Sequence, residues 1–333
     1  MMPSLRLSIV IACALTLFAG SLRAAEIHLS TENTASHFQT RFLEHYAADL
    51  NTRISTHHFS VLHSAQAFKD RDVAEALSGG RVAIAAPGIW HLGRFAPDLN
   101  ALLLPGFMGL ETQKVRELVD GTFGLALNQS LEQKLKVRVL GKWLDLGPAH
   151  IFTRNQVIRT FDDLKGLRIR YAGGEGNALR LKAMGAIPVL IPWPDVPDAL
   201  DHGEIDGLLT TTSTVASASL WDHGIRHAFF SHSYYPFYIP LVSLDIWNRM
   251  PAQMQTTLTT AWANMIDEGR DLAAQDQKKS IEMLIAHNIN IVEPDETARR
   301  NERVLLLAHQ DDMANTIGIS SKALQTLEQF AGQ

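Results

Sequence analysis

The sequence predicts an α/β protein of two lobes tied together by one long helix. Short apolar strands alternate with helix-like stretches in two successive runs, the pattern of strands joined by right-handed crossovers. The first run ends near Gly147-Pro148, where the same grammar restarts, so the lobes are expected to divide there. An uninterrupted helical pattern then covers 251–288, opened by Pro251 at its first turn. At 1.5 Å per residue it reaches about 50 Å, longer than one lobe, so it is expected to lie across both.

The chain opens with Arg6 and an apolar run over 7–20, followed by Ser21-Leu22-Arg23-Ala24-Ala25, whose small residues suit a peptidase. That run falls short of the roughly 20 residues a bilayer demands, so 1–24 is read as a cleaved secretory signal. Val10-Ile11-Ala12-Cys13 superficially resembles a lipoprotein box, but few apolar residues precede it and the run continues beyond it, so no lipid anchor is expected. Cleavage removes the single cysteine, which leaves no disulfide and makes the core carry the fold alone. Without Arg6 and Arg23 the balance is 28 basic against 35 acidic residues, a net charge of −7. With no basic run, nucleic acid is excluded as a partner. No later segment is apolar for long enough to insert into a membrane. An anionic ligand must therefore be held by a local positive site, against the field of the whole chain.

Lobe I is expected over 25–147. Ala25-Glu26-Ile27-His28-Leu29-Ser30 alternates as a strand, and 34–50 follows as a helix with Phe38, Phe42, Leu43 and Tyr46 at helical spacing. A second strand is read over 53–61, a helix over 72–78, and a buried strand of small residues over 82–86. The helical stretch 111–134 is broken near Gly121 and Gly124, and 136–144 is a strand. Lobe II, over 148–233, has strands at 151–153, 167–171, 188–191 and 207–211 and helices at 176–184 and 195–202. The aromatic stretch Tyr234-Tyr235-Pro236-Phe237-Tyr238-Ile239-Pro240-Leu241-Val242-Ser243-Leu244 reads as one strand returning to lobe I near 235–245. After the bridging helix, 289–333 is expected to add a strand and a closing helix over 296–316, packed on the lobes.

Arg170 is the leading candidate for chemistry. It ends a strand, with Trp193 and Thr210 at the ends of the next two, and open α/β sheets bind ligands outside the carboxyl ends of their strands. A guanidinium is an always-charged fork shaped for a carboxylate. The alternative is a surface arginine paired with an acid such as Asp163. Gly173-Gly174-Glu175-Gly176 suggests a phosphate cradle, but it lacks the Lys-Ser/Thr of a P-loop and is read as a permissive turn into a helix. Among 14 histidines, His57, His58 and His63 lie on one strand and loop, where neighbours face opposite sides. His223 and His227 could share a helical face, but Gly224 weakens that helix. No metal and no cofactor are expected. Gly-x-Ser-x-Gly and His-Glu-x-x-His are absent, so the protein is not expected to be an enzyme. In the aromatic stretch, Tyr235 or Tyr238 is placed beside the cleft, with Tyr238 the choice for the ligand.

These residues carry a resemblance over nearly the whole mature chain. Asp162-Asp163-Leu164-Lys165-Gly166-Leu167-Arg168-Ile169-Arg170, Met184-Gly185-Ala186-Ile187-Pro188, Trp193-Pro194-Asp195-Val196 and Gly203-Glu204-Ile205-Asp206-Gly207 together resemble the DctP family. Its members are the periplasmic solute-binding subunits of tripartite ATP-independent periplasmic (TRAP) transporters. Leu103-Leu104-Pro105-Gly106-Phe107 looks like the family's Leu-Pro-Phe element. The resemblance implies the two-lobe periplasmic binding protein fold, a cleft that closes over an organic acid, and delivery to membrane permease subunits by a periplasmic monomer. It places Arg170 on the ligand carboxylate, Trp193 against the ligand's face and Thr210 where a polar residue closes the site. Thr211 and His150 are expected to satisfy the remaining oxygens. Leu208-Leu209-Thr210-Thr211 replaces the family's more polar run, and His150 stands where some members have a second arginine. One cation with a hydroxyl-rich lining implies a monocarboxylate rather than a dicarboxylate. A receptor for a membrane sensor kinase and a periplasmic enzyme are the alternatives.

Overall fold

The computed structural model describes residues 25–331, so the expected signal segment, Cys13 included, lies outside the described residues. The first sheet grows from β1 (Ala25–Ser30), which buries Ile27 and Leu29. It pairs in parallel with β2 (His57–Leu62) on one side and β3 (Ile84–Ala85) on the other. The crossovers are α1 (Phe38–Arg53), which buries Phe38, Phe42, Leu43, Tyr46 and Leu50, and the short α2 (Val73–Ser78). Beyond β3 the chain makes α3 (Ile89–Leu92), then two 3-10 turns, then α4 (Thr112–Asp120) and α5 (Thr122–Leu135), parted at Gly121. At Gly124 an added Cβ would lie 1.7 Å from the Val119 carbonyl oxygen, so the two helices pack there only with glycine. The last strand of this run is β4 (Val137–Val139).

The chain leaves the first sheet through β5 (Leu144–Asp145) and enters the second. There β6 (His150–Thr153), β7 (Arg168–Tyr171), α6 (Glu175–Ala183), β8 (Ile187–Leu190), α7 (Val196–Asp201), β9 (Gly207–Thr210), α8 (Thr212–Ser217) and β10 (His227–Phe229) follow in turn. The chain returns through β11 (Phe237–Tyr238), antiparallel to β5, into β12 (Leu241–Ser243), which lies antiparallel between β3 and β4. The first sheet is thus ordered β2-β1-β3-β12-β4, and β5 with β11 forms a two-stranded ribbon joining the lobes. The aromatic stretch expected as one strand is two, interrupted at Ile239 and Pro240. Pro240 has no N–H for a ladder, and its carbonyl instead accepts from the Leu140 amide at 3.0 Å.

The second sheet has the order β13-β10-β6-β9-β7-β8, completed by β13 (Asn290–Val292). Next to its edge strand β8, β7 runs parallel to both β8 and β9. β10 was not expected: it has three residues, too few to alternate visibly. It places His227 on a strand, while His223 bonds Asp201 at 2.9 Å, so these two do not share a helical face. Among the described residues no three His, Cys, Asp or Glu side chains converge as metal ligands, and no helix is long and apolar enough to cross a membrane.

After α9 (Leu244–Arg249), the long helix α10 (Ala252–Ala286) lies across both lobes. In the first lobe its Trp262 meets Phe42 and Tyr46 edge-on at 5.2 and 5.3 Å between ring centroids. In the second its Gln277 and Asp276 accept from the hydroxyls of Thr212 and Ser213 on α8, and Leu284 joins the core cluster around Trp193 and Trp221. Asp276 also accepts from Arg41 of α1 at 2.6 Å, so one carboxylate holds both lobes. The closing helix expected over 296–316 is two, α11 (Glu296–Leu307) and α12 (Gln310–Ile317), with α13 (Ser321–Ala331) after them. The break is tertiary in origin. Glu302 accepts from the Phe161 amide at 2.9 Å while Gln310 accepts from the Gly106 amide at 2.8 Å, and these anchors lie on different parts of the body.

Candidate ligand-binding cleft

β7 lies between two parallel neighbours, so its carboxyl end opens between theirs, and there the chain places Arg170. The side chain is 2% exposed. Its Nε donates to the Ile191 carbonyl at 2.9 Å, and its guanidinium carbon lies 5.6 Å from the ring centroid of Trp193. Nη2 is buried and has no hydrogen-bond partner among the described residues. Burial draws the guanidinium below its ordinary basicity, while Asp70, Tyr234 and Glu32 nearby favour its charge. Arg170 does not pair with Asp163, which instead closes a capping box with Thr160.

A narrow cavity opens in front of this guanidinium. The second lobe lines it with Arg170, Trp193, Leu209, Thr210 and Thr211. Thr211 caps α8: its hydroxyl accepts from the Thr214 amide at 3.3 Å and lies 2.9 Å from the Thr214 hydroxyl. The return segment adds Tyr234 and Tyr238. The Tyr238 hydroxyl accepts from Asn33 at 2.7 Å, and burial raises its ionisation far above the phenolic range. Asn33 also donates to Gln39 at 2.5 Å, and Gln39 is tied to the Ala86 carbonyl at 2.8 Å, so this wall is fixed to the first sheet.

Five of the six expected residues therefore meet at one cavity, and His150 does not line it. His150 lies opposite Thr210 in the strand register, but its ring stacks on Phe230 at 4.4 Å and its Nδ1 accepts from the His232 amide at 3.2 Å. Burial lowers its pKa well below the usual 6.5, so the ring is neutral. Tyr235 is also elsewhere, its hydroxyl donating to the Leu110 carbonyl. The glycine turn before α6 serves packing: a Cβ on Gly174, whose φ is +80°, would lie 2.4 Å from Leu103 Cδ1.

The first lobe contributes several residues that the sequence reading missed, Asn33 and Leu146 and, with chemistry of their own, Glu32, Asp70 and Trp90. Glu32 follows β1, Asp70 lies in the segment after β2, and Trp90 opens α3 after β3. Trp90 stands 5.6 Å from Tyr238, and its indole N–H donates to His91 at 2.7 Å. His91 is held neutral by burial, which lowers it to about 3. Asp70 accepts from the Trp193 amide at 2.9 Å and the Arg71 amide at 3.0 Å, so it fixes the backbone beneath the tryptophan across the cleft. Burial pushes Asp70 up, opposed by Arg170. Burial, assisted by Asp70, pushes Glu32 up to about 8. Glu32 and Trp90 follow the carboxyl ends of β1 and β3 closely, as Arg170's position would suggest, whereas Asp70 lies in a longer segment beyond β2 with no such signal.

The model of the bacterial extracellular solute-binding proteins, family 7 (DctP), matches residues 29–310. The C4-dicarboxylate-binding periplasmic protein DctP of Rhodobacter capsulatus is 27% identical over 268 residues, 79% of this chain and 78% of that one. Two solved structures share the fold. The sugar acid binding protein DctPAm from Advenella mimigardefordensis, in complex with galactonate, is 17% identical with a TM-score of 0.86 over 93% of this chain and 98% of that one. A TRAP periplasmic solute binding protein from Sulfurospirillum deleyianum with bound succinate is 18% identical with a TM-score of 0.85 over 92% and 99%. The chain therefore belongs to the DctP family of TRAP-type extracellular solute-binding proteins, and it is a binding protein rather than an enzyme.

Proposed function

We propose that this protein captures an organic acid anion in the periplasm, closes its two lobes over it, and delivers it to the permease of a TRAP transporter. The observation that carries this reading is Arg170, a buried guanidinium that lines a cavity between the lobes and whose Nη2 has no hydrogen-bond partner among the described residues. A carboxylate there gains a charge-assisted bond and supplies the missing acceptor. Trp193 covers the ligand's apolar face, Tyr238 closes the opposite wall, and Thr210 with Thr211 offers hydroxyls to the remaining oxygens. The related protein named for C4-dicarboxylates and the structures holding galactonate and succinate support an acid as ligand.

The ligand has one carboxylate. Arg170 is the sole Lys or Arg among the residues lining the cavity, and a second carboxylate would meet Glu32 and Asp70 instead of a cation. Native mass spectrometry of the purified protein identifies any acid it carries, and calorimetry then measures its affinity. Arg170→Ala strands the carboxylate in a desolvated site, a loss of about 3–5 kcal/mol or some 100- to 1,000-fold or more in Kd. Near-native affinity in that variant overturns the assignment. Succinate binding more tightly than every monocarboxylate in the same assay overturns the single-carboxylate reading.

A further inference from the structure

Arg170 shares its cavity with two acids, and they differ in how they are engaged. Asp70 has both oxygens occupied by the amides of Trp193 and Arg71. Glu32 is 6% exposed and lines the cavity, and among the described residues the hydrogen bond it receives comes from its own backbone N–H. It is a largely buried carboxyl on the cavity wall that, among the described residues, no side chain answers by a hydrogen bond or ion pair. The two amide donors and nearby Arg170 favour the charged form of Asp70 against its burial, so Arg170 already has a partial counter-charge. An anion that enters with nothing else adds an uncompensated negative charge to a desolvated space, beside a second acid (an expensive arrangement). A ligand that also carries a cation brings the missing counter-charge with it.

We propose that Glu32 forms a second, acidic subsite and that the ligand is a zwitterion, with its carboxylate on Arg170 and an ammonium group on Glu32. This rests on the reading of Arg170 as the carboxylate anchor. The groups facing Glu32 are Asp70 from the segment after β2, Arg170 from β7 and the neutral hydroxyl of Tyr238 from β11, so the ligand's nitrogen is the one new positive charge in the cavity. A cation near Glu32 draws its carboxyl, raised by burial, back toward the charged form. Binding of the zwitterion at neutral pH then releases protons, whereas binding of a plain anion takes them up.

The test is calorimetry on the full mature chain with paired straight-chain acids of three to six carbons. Each pair carries either an ammonium or a hydroxyl at carbon 2 or at the terminal carbon, and titrations in two buffers of different ionisation enthalpy count the protons. The expected result is an ammonium acid bound at least about ten-fold more tightly than its hydroxy partner, with proton release. Glu32→Gln, which keeps the shape of the side chain, should abolish that preference, bringing the two affinities of a pair within about two-fold of each other. A hydroxy acid that binds as tightly as any ammonium acid, or a preference that survives in Glu32→Gln, overturns the proposal. Arg170→Ala separates the two readings. If it keeps affinity for the preferred acid, the carboxylate anchor itself is wrong, whatever Glu32 does. If no acid of either kind binds, both readings fall.

Discussion

Glu32 lies between Asp70 and Tyr238 in a space that water barely reaches, and burial lifts its carboxyl from 4.5 to about 8. Between those values the unfolded chain has released a proton that the native protein keeps. Stability therefore falls as pH rises across that window, by at most about 1.4 kcal/mol per pH unit for one group. Glu302, raised by burial to about 7, has the same sign but is finished by neutral pH. His37 and His91 act oppositely. Burial lowers both from 6.5 to about 3, so the unfolded chain binds protons that the native chain refuses, and their contribution is lost as pH falls from 6.5 toward 3. Between about pH 4.5 and 6.5 the two carboxyls and the two imidazoles oppose one another, so a melting temperature followed against pH should be nearly level there and decline below about 4.5 and above about 6.5. Glu32→Gln should flatten the limb between about pH 7 and 8 and leave the acid limb in place; an unchanged alkaline limb would show that Glu32 ionises at the usual carboxylate value. At this scale the sequence revealed the anchor better than its surroundings. Arg170 and Thr210 lie at the carboxyl ends of β7 and β9, and Trp193 opens the turn just past β8, so all three sit where apolar runs stop. That Glu32, Asp70 and Trp90 face them from the other sheet depends on how the lobes meet, which no local pattern encodes. His150 shows the converse: strand register put it level with Thr210, yet a stacking partner, Phe230, took its ring out of the site.

Among the elements, α10 was the easiest to read and the most constrained. Met254, Leu258, Trp262 and Ile266 recur every fourth residue, with no glycine or proline until Gly269, and all four are buried. Gly269 is where the helix passes closest to α1: a Cβ there would lie 2.5 Å from Phe42 Cε2, on a ring already held edge-on by Trp262. In an exposed helix Gly269→Ala would stabilise by about 1 kcal/mol. Here overpacking costs about 1–3 kcal/mol, so the net expectation is a loss near 1 kcal/mol in urea unfolding. A gain would show that α1 yields at this contact. The next residue, Arg270, is 4% exposed and forks onto Asp120 at 2.7 and 2.8 Å while donating to the Trp143 carbonyl, which ties α10 to the base of the connecting ribbon. Elements with such long periodic signals could be read within a residue or two. β10 and the break between α11 and α12 could not. The strand is three residues long, and the helix pair has no glycine or proline between its members, only anchors at Phe161 and Gly106 far away in sequence.

Taken whole, the lobes are joined by the ribbon of β5 and β11 and by α10, and they touch again at the mouth of the cleft. There Lys69 donates to both oxygens of Asp195 at 3.0 and 2.7 Å, and the adjacent Asp70 receives the Trp193 amide. The two contacts differ in kind. Asp70 is buried and belongs to the cavity wall; Lys69 and Asp195 are both about half exposed, so their pair contributes at most about 1 kcal/mol and is screened by salt. Small as it is, the contribution exists only while the lobes are together, because the partners come from opposite sides of the cleft. If ligand release requires the lobes to part along this line, that free energy appears in the dissociation rate. Lys69→Met should leave the melting temperature of the ligand-free protein within a few degrees while speeding ligand dissociation by about two- to five-fold at low salt. The difference should vanish near 1 M salt, where the Debye length is about 3 Å. Stopped-flow tryptophan fluorescence suits the measurement, since Trp90 and Trp193 line the cavity from opposite lobes. An unchanged dissociation rate at low salt would mean that the lobes separate elsewhere, with α10 and the ribbon rather than the cleft mouth setting the barrier.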